Sequence, residues 1–347
     1  WKASGSMIVL LSPGGTLPVE LAADCLTVDD PLPTSEDIGA IIDREHAAAS
    51  DVPALKIAPL PPDTREAAIG ALIGLPRFAA EQSIALGLIE QSAVSPSDLW
   101  TRKGAAIAQI PGLRLDTPGT TLADLGGLAQ IKAFAHQLMT GDRPPRVVVM
   151  IDEIEKAIGG FGSDTSGVTT DQVGVLLSAM ETNGWTGCAP AGPPGSGKSA
   201  FARALATTYD RRTIIMDLGA AKGSLVGQSE RQIRAMLATV LAIGGSDVFF
   251  LATCNKMTIL PPELRRRFTY GIWYFDLPTP DERASIWTLQ IRAAGLPTDI
   301  ARPDDDGWTG AEIRNACTLA SRLRITPADA AAYIVPVSQS DPDSIAT

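Results

Sequence analysis

The sequence predicts a three-layer α/β core on a mostly parallel, five-stranded sheet, followed by a helical lid and preceded by a partial copy of the same module. Three observations predict it. Residues 147–153, VVVMIDE, and 246–255, SDVFFLATCN, are apolar runs ending in polar groups, as expected of strands buried on both faces whose C-terminal tips carry side chains to the ligand edge of a parallel sheet. Gly192 to Ser199 fits the pattern G-x-x-x-x-G-K-[ST] and runs straight into a good helix former, AFARALA, the context such a loop needs. Finally, 7–21, MIVLLSPGGTLPVEL, echoes 248–264, VFFLATCNKMTILPPEL: each is an apolar strand, a polar break and Leu-Pro-x-Glu-Leu.

The echo continues along the chain. Leu32-Pro33-Thr34 matches Leu277-Pro278-Thr279, and Ala80-Glu81 with Val94-x-Pro96-x-Asp98 matches Ala311-Glu312 with Ile325-x-Pro327-x-Asp329. Internal repetition of this kind decides architecture. Residues 7–112 are therefore read as the second half of a module, two strands and a lid-like helical bundle, without a phosphate loop or an acidic strand end of its own. It is expected not to bind nucleotide, leaving packing, oligomer contacts or partner binding as its roles. Residues 1–6 read as an added stretch, with Met7 the expected native start. Residues 113–120, broken by Pro118-Gly119, read as a linker, 121–278 as the core, 279–336 as the lid and 337–347 as a loose polar tail.

Within the core, glycines in the 192–199 loop let the backbone wrap a phosphate closely, so that successive N–H groups and the next helix's N-terminus face the anion. The expected phosphate cradle is Gly192, Pro193, Pro194, Gly195, Ser196, Gly197, Lys198, Ser199 and Ala200. Lys198 would reach the β- and γ-phosphates, and the Ser199 hydroxyl would hold Mg²⁺. At the tip of the earlier strand, Asp152 would hold Mg²⁺ through water and Glu153 would orient and deprotonate the attacking water. Asn255, ending the later strand, is placed to position that water or the γ-phosphate, although a turn-forming Asn reads the same way. Arg265-Arg266-Arg267 is either a solvated face or a guanidinium offered to a neighbour's γ-phosphate.

Composition narrows the classes. With 347 residues, 45% of them hydrophobic, the chain can bury a sizeable core. A net charge of −10 repels phosphate backbones and disfavours extended DNA binding. Cys25, Cys188, Cys254 and Cys317 are scattered, and His46 and His136 are the only histidines; this argues against a disulfide framework or a zinc site and for a reducing, cytoplasmic setting. No apolar run of transmembrane length and no signal peptide is read, so no membrane role is expected. His136 reads as a surface or half-buried helix residue, Glu155 and Lys156 as a solvated face with pairing across a subunit boundary as the alternative, and Trp273, Trp287 and Trp308 as core.

Set side by side, several segments resemble AAA+ ATPases. They are Asp124-Leu-Gly-Gly127, the glycine loop, Gly223-Ser-Leu-Val-Gly-Gln-Ser-Glu230, Ile151-Asp-Glu-Ile-Glu-Lys156, Ala252-Thr-Cys-Asn255, Leu260-Pro-Pro-Glu-Leu264 and Thr309-Gly-Ala-Glu-Ile313. Within that superfamily the chain is most similar to cyanobacterial and plastid AAA-type proteins, which also carry a degenerate AAA half ahead of the active one. The resemblance implies a P-loop NTPase (AAA+) fold, ATP and Mg²⁺ as cofactors, and hydrolysis in a homo-oligomeric ring, a hexamer, that remodels or moves a protein or other macromolecular client. An ATP-gated assembly switch is the first alternative and a DNA-directed ATPase the second. Lys198 and Ser199 match Walker A, Asp152 and Glu153 Walker B, and Asn255 sensor 1. Arg267 matches the trans arginine finger, with Arg265 second; Gly310 and Ala311 match the lid segment beside the nucleotide, and Arg314 reads either as a second sensor or as a solvent-facing or packing arginine.

Three departures accompany the match. The Walker B residues precede Walker A, the reverse of the family order. Because the two strands flank the sensor 1 strand in such sheets, the new link has to cross two strand spacings, about 10 Å, which 183–186 can span; an intact site on rewired connections is expected. Leu225-Val226 stands where threading motors place an aromatic, and the arginine loop lacks the usual glycine.

Overall fold

The computed structural model describes residues 25, 31–117, 119–158, 168–220, 228–257, 260 and 262–340. The chain divides into two units, 1–32 and 33–347. The strand expected at 7–21, Leu225-Val226 and the last seven residues lie outside the described residues.

The second unit begins with four helices, α1 (Ser35–Ser50), α2 (Pro62–Leu72), α3 (Arg77–Gln91) and α4 (Pro96–Ile107). Their apolar sides meet in one cluster that includes Ile38, Ile42, Leu72, Ile84, Leu88 and Leu99. The repeated sequence segments have repeated local structure. Thr34 caps α1 by a reciprocal box with Asp37, and Thr279 caps α11 (Pro280–Ala293) by the same box with Glu282; Ser95 caps α4 through the Asp98 N–H as Thr326 caps α13 (Pro327–Ala330) through that of Asp329. These hydroxyls satisfy N–H groups that a helix start leaves open. Helix α2 has no counterpart between α11 and α12 (Gly310–Leu323).

Among the described residues the sheet has six strands: β1 (Leu113–Leu115), β2 (Val147–Ile151), β3 (Thr186–Ala191), β4 (Arg212–Met216), β5 (Val248–Ala252) and β6 (Ile272–Tyr274), in the spatial order β1-β4-β2-β5-β3-β6. Five are parallel, as expected, and β1 is antiparallel to β4. Residues 113–115 are thus an edge strand rather than linker; three residues of Leu-Arg-Leu are too short to carry a strand pattern, and their pairing with Ile214, Ile215 and Met216 is what makes them one.

Alternation along β2 builds two cores. Val147, Val149 and Ile151 face Val173, Leu176 and Met180 of α7 (Val168–Thr182) and Ile233, Met236 and Val240 of α9 (Gln228–Gly244). Val148 and Met150 face α5 (Ala129–Thr140) and α8 (Lys198–Thr208), with Phe201 and Leu205. This is the three-layer arrangement of a doubly wound P-loop fold. The sheet places β5 between β2 and β3, so the link after α7 crosses two strand spacings as anticipated. Trp185 anchors that crossing: it is buried, its indole N–H donates to Gly245 O at 2.7 Å, and its ring packs on Phe250.

The lid comprises α11, α12 and α13 around Trp287, Trp308, Ile313 and Cys317. Residues 337–340, read from sequence as loose tail, form the short helix α14 (Val337–Ser340), because the buried carboxylate of Glu312 accepts the Val337 N–H at 2.5 Å. Short helices α6 (Glu155–Ile158) and α10 (Pro262–Arg267) complete the core. Among the described residues no helix is long and apolar enough to cross a membrane.

Candidate active site

The C-terminal ends of β2, β5 and β3 open into a cleft of about 410 Å³ between the sheet and the lid. Asp152, Glu153, Asn255 and residues 194–200 line one side, and Gly310, Ala311 and Arg314 the other. Residues far apart in sequence, and in reversed order along it, therefore face one space.

The loop after β3 explains its glycines. Gly192 sits at φ +145°, where a Cβ would come within 2.1 Å of the Phe275 carbonyl oxygen. Gly195, at φ +82°, lies so close to the lid that a Cβ would meet Thr309 Oγ1 at 2.7 Å, and its own carbonyl accepts the Ala311 N–H at 3.3 Å. Helix α8 starts at Lys198 after Gly197, so its first N–H groups turn toward the loop's interior, an anion-binding arrangement. Lys198 is buried and donates to Gly192 O and Pro193 O, both at 2.8 Å. Burial pushes its ammonium pKa down, opposed first by Glu155 and then by Cys254, Asp152 and Glu153. A phosphate oxygen is a stronger acceptor for that ammonium than either carbonyl.

Asp152 Oδ1 accepts from Ser199 Oγ at 2.7 Å and from Thr253 Oγ1 at 2.6 Å. A hydroxyl and a carboxylate side by side are a hard-oxygen donor set, and Ser199 and Asp152 fit the group the sequence implied, Mg²⁺. Glu153 has φ +50°, a left-handed backbone that costs a non-glycine residue about 1–3 kcal/mol and persists where neighbours hold it. Thr253 is that neighbour: the oxygen that donates to Asp152 also accepts the Glu153 N–H at 2.9 Å. The Glu153 carboxylate pairs with Lys156.

The left-handed turn at Glu153 sends Glu155 inward rather than onto a solvated face, correcting the sequence reading. Its Oε1 accepts the Asn255 N–H at 2.9 Å. Cys254 beside it is fully buried, and burial first, then the Glu155 charge, pushes its thiol up to about 12.

The arginines lie elsewhere. Arg265 donates to Leu260 O at 2.7 Å and Met257 O at 3.0 Å, and Arg267 pairs with Glu181 at 2.6 Å. None of the three lines this cleft. Arg314 lines it from the lid and is exposed. His136 is exposed and meets Tyr209 Oη at 3.0 Å, while Trp287 and Trp308 are lid core.

Sequence reasoning missed Thr253, Glu155 and Glu282. Glu282 joins the lid to the segment ahead of α5: its Oε1 accepts the Leu128 N–H at 3.1 Å while its Oε2 accepts that of Thr279 at 3.0 Å. The capping pattern Thr-x-x-Glu at 279–282 was a legible signal for the second bond, not the first. A hydroxyl two residues before the strand-end amide was the available signal for Thr253.

Residues 190–243 match the family model of the "ATPase family associated with various cellular activities (AAA)". The match ends ahead of β5. An uncharacterized AAA domain-containing protein, ycf46, of Guillardia theta is 21% identical over 358 residues, covering 89% of this chain and 63% of its own length. The 26S proteasome regulatory subunit 10B homolog A of Arabidopsis thaliana is 26% identical over 185 residues, covering 39% of this chain and 46% of its own. The chain thus spans less than two thirds of either relative. The crystal structure of the FIGL-1 AAA domain in complex with ADP superposes with a TM-score of 0.40 at 18% identity, covering 70% of this chain and 94% of that one.

Proposed function

We propose, on the premise that the chain is a homologue of AAA-type proteins, that its cleft binds ATP with Mg²⁺ and hydrolyses it within a homo-oligomeric ring that remodels or moves a macromolecular client. One observation carries this reading: the Ser199 hydroxyl after the glycine loop and the Asp152 carboxylate just past β2 meet at 2.7 Å, with the buried Lys198 bonded to the carbonyls of that loop. Reversed order along the chain has not separated them.

The roles follow from position. Lys198 exchanges its two carbonyl partners for β- and γ-phosphate oxygens. Ser199 and Asp152 hold the cation, which when bound neutralises charge developing on the phosphates. Asn255 orients the attacking water, and Glu153 takes its proton. Arg267 leaves Glu181 for the γ-phosphate of the adjacent subunit, a move that costs little because exposed ion pairs contribute only about 0–1 kcal/mol. Gly310, Ala311 and Arg314 close over the nucleotide from the lid.

Glu153→Gln removes the proton acceptor and keeps the shape. Nucleotide affinity should change little while turnover falls roughly a hundredfold or more; full turnover in that variant would show that Glu153 is not the base. A second reading, an ATP-gated assembly switch with slow turnover, draws support from the Glu153–Lys156 pair, which occupies the carboxylate. Steady-state ATPase with and without candidate clients separates the two, since a switch shows no stimulation.

A further inference from the structure

Beyond the end of β5 the backbone is fixed residue by residue. Thr253 N–H donates to Ile151 O and Cys254 N–H to Pro190 O, both at 2.9 Å, continuing the sheet toward β2 and β3. Asn255 is the first residue past these bonds, and its N–H goes to Glu155 Oε1. The other Glu155 oxygen, Oε2, is buried and is given no nitrogen or hydroxyl donor among the described residues, while the buried Cys254 thiol lies against the same carboxylate. A carboxylate held away from water is costly, so packing alone does not account for an acid at this place.

We propose that Glu155 is a positioning residue: its carboxylate fixes the turn that carries Asn255 and thereby sets where the Asn255 amide meets the attacking water. Glu153 and Glu155 then act as a pair separated by one residue. The first faces the cleft, and the left-handed turn at its own backbone swings the second toward the end of β5, where it holds Asn255. Loss of this strut displaces Asn255 and leaves the Lys198 hydrogen bonds to Gly192 O and Pro193 O in place; the charge that supports the Lys198 ammonium is lost equally in Glu155→Ala and Glu155→Gln, so the difference between those two variants reads the strut. The inference rests on the hydrolytic reading above for its kinetic consequence, but not for its structural one.

The test uses the full chain as wild type, Glu155→Ala, Glu155→Gln, Asn255→Ala and Glu155→Ala combined with Asn255→Ala. Glu155→Ala should lower kcat roughly tenfold or more, with KM within about twofold of that of Glu155→Gln, a misplacement effect. Glu155→Gln, which keeps an acceptor oxygen, should retain most of the turnover. Asn255→Ala should leave nothing further for Glu155→Ala to remove. Hydrogen exchange at the Asn255 amide, read without turnover, should be slow in wild type and Glu155→Gln and about tenfold or more faster in Glu155→Ala. Unchanged exchange in Glu155→Ala, equal damage from Ala and Gln, or a kcat loss that adds in full to that of Asn255→Ala overturns the proposal. If Glu155→Ala does not fold, Glu155→Asp, with its shorter reach, must show the faster exchange, and normal exchange there overturns it equally. A wild type that shows the exchange pattern but hydrolyses nothing defeats the hydrolytic reading and leaves the positioning role standing.

Discussion

Lys103 shows how far a single buried charge can depart from what its sequence context implies. A lysine following Thr-Arg in the middle of a helix reads as solvent-facing, yet it is fully buried on α4, donating to Ile73 O at 2.6 Å with Nζ 4.5 Å from the Trp100 ring centroid. Burial lowers its pKa from 10.5 to about 7. Between those values the unfolded chain binds a proton that the folded chain has released, so stability rises with pH across that window; below about 7 both states are protonated and the penalty is constant. Melting temperatures of wild type and Lys103→Met at pH 7 and pH 9.5 check this. The wild type should gain stability relative to the variant at the higher pH, and parallel profiles would refute it. Glu155 was missed for a related reason: Ile-Glu-Lys after two acids reads as a solvated helix start, and only the left-handed backbone at Glu153 turns that side chain inward.

Among the elements, β2 and β5 were legible because each is an apolar run with a functional tip, and the place of the sensor 1 strand between the other two followed from the family resemblance. The antiparallel edge β1 was not, since its identity comes from pairing rather than composition. The reversed connection also needs a device that strand patterns do not show. After α7, Gly184 at φ +64° turns the chain and Trp185 fills the space against Phe250. Removing that side chain leaves a cavity at the crossing, so Trp185→Ala should cost about 3–5 kcal/mol. Denaturant unfolding measures it; a loss below about 1 kcal/mol would mean that the crossing is held by other contacts.

For the whole molecule, the central claim is that one nucleotide site is assembled from strands whose order along the chain is exchanged. The glycine loop, Asp152, Glu153 and Asn255 could be read from the sequence because phosphate and cation chemistry demands those residue types. The scaffold that aims them, Thr253 bridging β5 to β2 and Glu282 tying lid to core, could not, since such bonds depend on spatial neighbours 100 or more residues away. Titration of a fluorescent ATP analogue, with and without Mg²⁺, into wild type, Lys198→Ala and Asp152→Ala tests the claim most directly. Lys198→Ala should weaken binding at least about tenfold in both conditions, the loss of a charge-assisted bond, whereas Asp152→Ala should remove only the increment that Mg²⁺ contributes. Wild-type affinity and Mg²⁺ dependence in both variants would mean that the two side chains do not serve one ligand.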